Sequence, residues 1–151
     1  MPNLFPIEIV NPLPEITGTG AGQVRFGRSW RFDFDSGDFV LTPAGQVAEC
    51  GNEEAWLEWC RKALMTARYR YLVYSRNYGQ EFEDLISRHL NRAGNESEIK
   101  RITTECLKVD PRTSGVDNFT FTWEEDTCQF TCEVTSVLGG SGTMNGMVVI
   151  G

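Results

Sequence analysis

The stretch from 118 to 135 constrains this chain more than any other. Phe119, Phe121 and Trp123 alternate with Asn118, Thr120 and Thr122. Glu124-Glu125-Asp126 interrupts as a polar turn, and Cys128, Phe130, Cys132 and Val134 then alternate with Gln129, Thr131, Glu133 and Thr135. Period-two alternation places the apolar set on one face of a strand. Two such strands around a polar turn form a hairpin whose apolar face needs a cover. Gly139, Gly140, Gly142 and Gly146 read as a further turn and 147–150 as a last strand, so a three-stranded meander is predicted.

The cover lies upstream. Residues 52–66 predict a helix: Asn52 is a capping residue, Glu53 and Glu54 suit its N-terminal end, and Trp56, Cys60, Ala63, Leu64 and Ala67 recur at helical spacing. A second helix is expected from Gln80, with Phe82, Leu85, Ile86, His89 and Leu90 on its apolar face and Gly94 closing it. A third is expected from Asn95, where Glu98 three residues on approximates a capping box, with Ile99, Ile102, Cys106 and Leu107 buried. Between the first two, Tyr69, Tyr71, Tyr74 and Tyr78 either cover the core beneath the helices or meet a neighbouring subunit. Before them all, Trp30, Phe32 and Phe34 alternate with Arg31, Asp33 and Asp35, and Ser36-Gly37 signals a hairpin into Phe39-Val40-Leu41. Hairpin, helices and meander make an α+β domain over 29–151, a small antiparallel sheet with about three helices packed against it.

Residues 1–28 differ. Four of six prolines (Pro2, Pro6, Pro12 and Pro14) precede Gly18, Gly20 and Gly22, which predicts an extended N-terminal arm. Leu4, Phe5, Ile7, Ile9, Val10, Leu13 and Ile16 make that arm apolar enough to dock, on a neighbour or on its own domain. Residues 1–10 show no secretory signal, so a cytoplasmic site of synthesis is expected. Five cysteines without framework spacing (Cys50, Cys60, Cys106, Cys128 and Cys132) fit buried thiols better than disulfides. No apolar run approaches the ~20 residues of a membrane helix. A net charge of −7 argues against a protein that coats nucleic acid.

No set of residues makes a convincing catalytic or metal centre. His89, the one histidine, falls on an apolar helix face, where a core-edge role is expected rather than catalysis. Cys128 and Cys132 share a strand face about 13 Å apart at ~3.3 Å per residue, too far to share a metal. Asp33, Asp35 and Gly37 hint at a calcium loop, but Ala44 stands where its glutamate belongs. Gly139-Gly140-Ser141-Gly142-Thr143 lacks the closing glycine of a nucleophile elbow and reads as a flexible hairpin tip. Gly18-Thr19-Gly20-Ala21-Gly22 has no strand before it or helix after it to bind a dinucleotide. Glu81, Glu83 and Asp84 suit the first turn of a helix better than a glycosidase pair. Neither catalytic residues nor cofactor nor metal are therefore expected.

Asp110-Pro111-Arg112 is the polar feature that stands out. Pro111 ends the third helix through its restriction on Asp110, and Arg112 leaves a stiff junction as a fork for a carboxylate. That carboxylate belongs either to a partner or to Asp110 or another nearby acid. In the partner case, Arg112→Ala should cost association and not folding.

WRFDFDSGDFVLTPAGQV and, further on, WCRKALMTARYRYLVYSRNYGQEFEDLI resemble the XkdS-like proteins of Gram-positive phages and defective prophages. Those are small baseplate wedge proteins of contractile tails, historically called lysozyme-like. The likeness runs from about Trp30 to about Val137. The family carries a Glu-Pro-Arg motif after its last helix, and Asp110-Pro111-Arg112 stands there with aspartate for glutamate. The resemblance implies a structural protein, about six copies per particle, that binds a helical bundle of larger wedge proteins through this motif and templates the first sheath ring, near the tail tube or hub. Asp110, Pro111 and Arg112 are thus the expected partner-binding residues. The alternatives are a tail muramidase using Glu81 or Glu83, and a tail adaptor or completion protein.

Overall fold

The computed structural model describes residues 24–150. The N-terminal arm expected over 1–28 lies outside them as far as residue 23. The described chain is an α+β fold. Strands β1 (Arg28–Trp30), β2 (Phe32–Asp33), β3 (Asp38–Phe39) and β4 (Glu49–Gly51) precede helix α1 (Asn52–Met65). A 3₁₀ turn (Phe82–Asp84) runs into the short helix α2 (Leu85–Arg88), followed by α3 (Arg92–Lys108). Strands β5 (Thr113–Glu124), β6 (Thr127–Ser136) and β7 (Ser141–Val149) close the chain.

The meander forms as its alternation demands. It is an antiparallel sheet in the order β5-β6-β7, with Cys128, Phe130, Cys132 and Val134 all buried beneath the helices. Phe119 packs against both halves of the core, one built on Trp56, Cys60 and Leu107 and the other on Phe82, Ile99 and Phe130. The glycine-rich tail is a correction. Only Val137–Gly140 turn, with Gly139 at φ +90, whereas Gly142 and Gly146 lie inside β7. A Cβ at Gly142 would come 2.5 Å from Leu57 on α1, and one at Gly146 2.5 Å from the Phe130 ring. These glycines mark close packing on a strand, not flexibility.

The first apolar run is not one strand. Residue 31 changes partner: Arg31 N–H donates to the Ala48 carbonyl at 2.8 Å, and Val40 N–H donates to the Arg31 carbonyl at 3.0 Å. So β1 pairs with β4 while β2 pairs with β3 through a turn that Gly37, at φ +74, completes. Asp33 holds that turn by accepting from Asp35 N–H and Ser36 Oγ. Phe32 and Phe34 are half-buried, but Trp30 is exposed.

Helix α1 covers the predicted residues, but Asn52 does not cap it: Gly51 stands at the N-cap with no side-chain hydrogen bond, and Asn52, at φ 54, begins the helix. The next two boundaries differ from those predicted. The second helix is cut short because His89 turns left-handed at φ 49, leaving His89 exposed at a helix end and not on an apolar face. Asn91, not Asn95, caps α3: its side chain accepts from Gly94 N–H at 2.7 Å, and Gly94 lies in the first turn. Asn95 is buried there and donates to the Leu90 carbonyl at 3.1 Å. The missing side chain of Gly94 lets the cap approach, since a Cβ would meet the Asn91 oxygen at 3.0 Å. No described helix is long and apolar enough to cross a membrane.

Candidate partner-binding site

Helix α3 ends at Lys108, and Asp110-Pro111-Arg112 forms the corner that leads into β5. Asp110 gathers the corner around one carboxylate. Its Oδ1 accepts from the Arg112 backbone N–H at 2.8 Å and from Nε at 2.9 Å, and its Oδ2 accepts from Nη2 at 2.7 Å. This is the bidentate geometry of a strong, charge-assisted pair. Nη1 donates to the Phe26 carbonyl at 2.8 Å, and the guanidinium lies 6.0 Å from the Trp59 ring centre. The Asp110 and Arg112 side chains are 8% and 14% exposed. Nearby, Trp56 Nε1 donates to Thr113 Oγ1 at 2.9 Å, fixing the start of β5 on α1.

The structure therefore joins the three expected residues and forms the internal pair between Asp110 and Arg112. Arg112 is also a strut: it ties the entry of the described chain at Phe26 to the end of α3. Its loss is expected to lower folding stability, so Arg112→Ala tests the fold as well as association. The corner offers solvent the Pro111 ring and Val109, both exposed. The Phe26 contact spans 86 residues and had no signal in the sequence.

The loop of residues 67–79 lies beside this corner. Its neck closes by Arg68 N–H to the Gln80 carbonyl at 2.8 Å and Gln80 N–H to the Thr66 carbonyl at 2.9 Å. Gly79, at φ +101, is required there, because a Cβ would lie 2.6 Å from the Thr66 oxygen. Tyr78 is half-buried against Trp59, with ring centres 5.7 Å apart. Tyr69, Tyr71 and Tyr74 are exposed, as are Leu72 and Val73. Three of the four tyrosines thus do not cover the core.

The two glutamates considered for catalysis are paired with arginines. Glu81 pairs with Arg68 at 3.8 Å and Glu83 with Arg70 at 3.0 Å. All five cysteines are free and buried. Burial pushes the Cys60 and Cys106 thiols up to about 12 and the Cys132 thiol up to about 11. Such thiols stay protonated and unreactive near neutral pH. Among the described residues no group of three His, Cys, Asp or Glu side chains is arranged for a metal ion.

The sheet presents two outer strands. β5 is broken by register shifts between Thr113 and Gly115 and between Asp117 and Thr120, with Asn118 at φ 54. β7 pairs with β6 in unbroken register from Ser141 to Val149, and no described strand pairs with its other edge. A regular unpaired edge can accept an added strand, whereas bulges blunt one.

Comparison with known proteins agrees with this architecture. Phage-like element PBSX protein XkdS of Bacillus subtilis (strain 168) is 33% identical over 96 residues, which cover 57% of this chain and 68% of that protein. A chain in the cryo-EM structure of the anti-feeding prophage (AFP) baseplate, 6-fold symmetrised, shares the fold at a TM-score of 0.50 and 15% identity, over 83% of this chain and 87% of that one. Residues 28–139 match the family model described as contractile injection system sheath initiator. That match takes in the β1–β4 ribbon, the helices, the Asp110-Pro111-Arg112 corner and two strands of the meander, and the chain belongs to the contractile injection system sheath initiator family.

Proposed function

We propose that this chain is a non-enzymatic baseplate wedge component of a contractile injection machine, a phage tail or an R-type bacteriocin. It binds a helical bundle of larger wedge proteins at the Asp110-Pro111-Arg112 corner, in about six copies per particle, and templates the first sheath ring. The observation that carries this reading is the family match over residues 28–139. The β7 edge, which no described strand pairs, supports strand addition by sheath, because its backbone donors and acceptors suit an incoming strand. The closed Asp110–Arg112 pair suits a preshaped corner that offers Pro111 and Val109 without the cost of ordering a free arginine. A muramidase finds no support in Glu81 and Glu83, each of which is tied to an arginine.

The test is a pull-down of the tagged full chain from producing cells in ~0.15 M and ~1 M salt, which separates screened from buried contacts. Larger wedge proteins and sheath should be recovered, with sheath retained at high salt. Val109→Asp should keep the fold, because that side chain is exposed, yet lower wedge recovery. Recovery of neither partner would overturn the reading.

A further inference from the structure

Two hollows open beside the β7 edge that no described strand pairs, on the side where the helices lie. One, of about 390 Å³, lies between Phe34, Leu64, Met65 and Met144. The other, of about 450 Å³, lies between Met65, Phe82, Ile86 and Val148. Leu64, Met65 and Asn145 border both, so they form one groove whose two centres, at Met144 and Val148, lie four residues apart on β7. Met65 is 69% exposed and Ile86 49%. A nine-residue edge in regular register beside such a groove invites unwanted association unless something covers it.

The residues ahead of the described chain include a segment that fits this edge. Phe5, Ile7 and Ile9 alternate with Pro6, Glu8 and Val10, and Phe5 and Ile9 are four residues apart, as the two hollows are. The segment also reaches. Val24 lies beside Gly51 and Asn52 at the start of α1, and Glu53 accepts from the Gly140 N–H just before β7. The described chain therefore begins at the end of α1 where β7 begins. Residues 11–23 can span about 40 Å at ~3.3 Å per residue, and β7 is about 30 Å long on the same scale. A tether of that length holds the segment near its own β7 at roughly millimolar effective concentration, far above that of a second copy in dilute solution.

The backbone sets the direction. Ser136 N–H donates to the Gly140 carbonyl and Ile150 N–H to the Asp126 carbonyl, both in the β6–β7 register, so the even residues of β7 bond to β6. The odd ones, Thr143, Asn145, Met147 and Val149, turn their N–H and C=O groups to the open edge. An antiparallel strand with Phe5, Ile7 and Ile9 on the buried face would bond to that edge through Pro6 and Glu8, and Pro6 has no N–H. A parallel strand bonds through Phe5, Ile7 and Ile9 themselves and leaves Pro6 facing outward, where an edge strand tolerates it. We propose that residues 5–9 pair in parallel with β7 of their own chain as a fourth strand, with Phe5 in the hollow at Met144 and Ile9 in the hollow at Val148. The pairing belongs to the free chain and does not rest on the baseplate reading. Five residues on a proline- and glycine-rich tether fray readily, so the cover yields to a longer incoming strand, and β7 gains protection when that strand replaces it.

The experiment is residue-resolved amide exchange by NMR on the full free chain and on its Phe5→Asp/Ile9→Asp variant. The Asn145, Met147 and Val149 amides, which face the open edge, should exchange about tenfold faster in the variant. The Met144, Gly146 and Val148 amides, bonded to β6, should exchange equally in both and so report an intact fold. Equal exchange of Asn145, Met147 and Val149 in the two chains would overturn the proposal. A photo-reactive benzophenone residue in place of Phe5, with the cross-linked peptide identified by mass spectrometry, then names the partner. A link to Met65 or Met144 within a monomer is expected. A covalent dimer, a link to any other region, or no link would overturn the proposal.

Discussion

The β5–β6 hairpin carries Phe119, Phe121, Trp123 and Phe130, and the 67–79 loop carries Tyr69, Tyr71, Tyr74 and Tyr78, so each stretch holds four aromatic rings. The hairpin turns its rings inward, with Phe130 1% exposed and Phe119 stacked on Phe121 at 6.1 Å. The loop turns three of its four rings outward. Alternation assigns the hairpin side chains to two faces, and the backbone pairs along its length except at two register shifts in β5. The loop has no period, places arginines between its rings, and closes its backbone at the neck and in short turns. Aromatic content alone therefore does not predict burial here. Period and backbone pairing do, and most of the aromatics without them stay at the surface.

The largest way to stress this contrast is Phe130→Ala. Removing a fully buried ring should cost about 3–5 kcal/mol in denaturant unfolding. A loss under about 1 kcal/mol would mean the hairpin is not the core. Next comes Arg112→Ala, which leaves the Asp110 carboxylate buried and unpaired, at a cost of about 3 kcal/mol. Unchanged stability would show that the corner does not brace the fold.

Asn91→Ala removes the α3 cap and should cost about 1 kcal/mol, read from the same unfolding curves. Asn95→Ala does not separate the capping schemes, because Asn95 is buried in its own right.

A smaller effect concerns acid. Arg101, together with Arg88, holds the Glu98 carboxylate below its usual value of 4.5. A depressed folded-state value stabilises the fold above about 4.5, and this contribution is lost as pH falls through the lower folded value. Arg101→Ala should therefore lower stability slightly at pH 7 and flatten the decline at acidic pH. An identical acid profile would exclude the contribution. Smallest of all is Leu72→Ser, which should change stability by less than about 0.5 kcal/mol, because the side chain touches solvent.

Much of the fold was legible in the residues. The meander, the burial of Cys128 and Cys132, and helix α1 all follow from apolar period. The helix boundaries at His89 and Asn91 did not follow, because Asn91 and Asn95 are both capping residues and only the position of Gly94 under the Asn91 side chain decides between them. Gly142 and Gly146 read as a turn because a sequence does not reveal that Leu57 and Phe130 arrive at their faces. At the site, Pro111 marked the corner and Asp110 marked one of two possible partners for Arg112. The Phe26 carbonyl contact and the packing of Tyr78 on Trp59 join residues far apart in the chain, and no local pattern encodes them.

Amide hydrogen exchange, compared between the free chain and the chain inside purified particles, tests the central claim most directly. The account predicts new protection at the amides flanking Pro111 and along β7, with the β5–β6 hairpin already protected in the free chain. Equal exchange of the corner and of β7 in both states would contradict it.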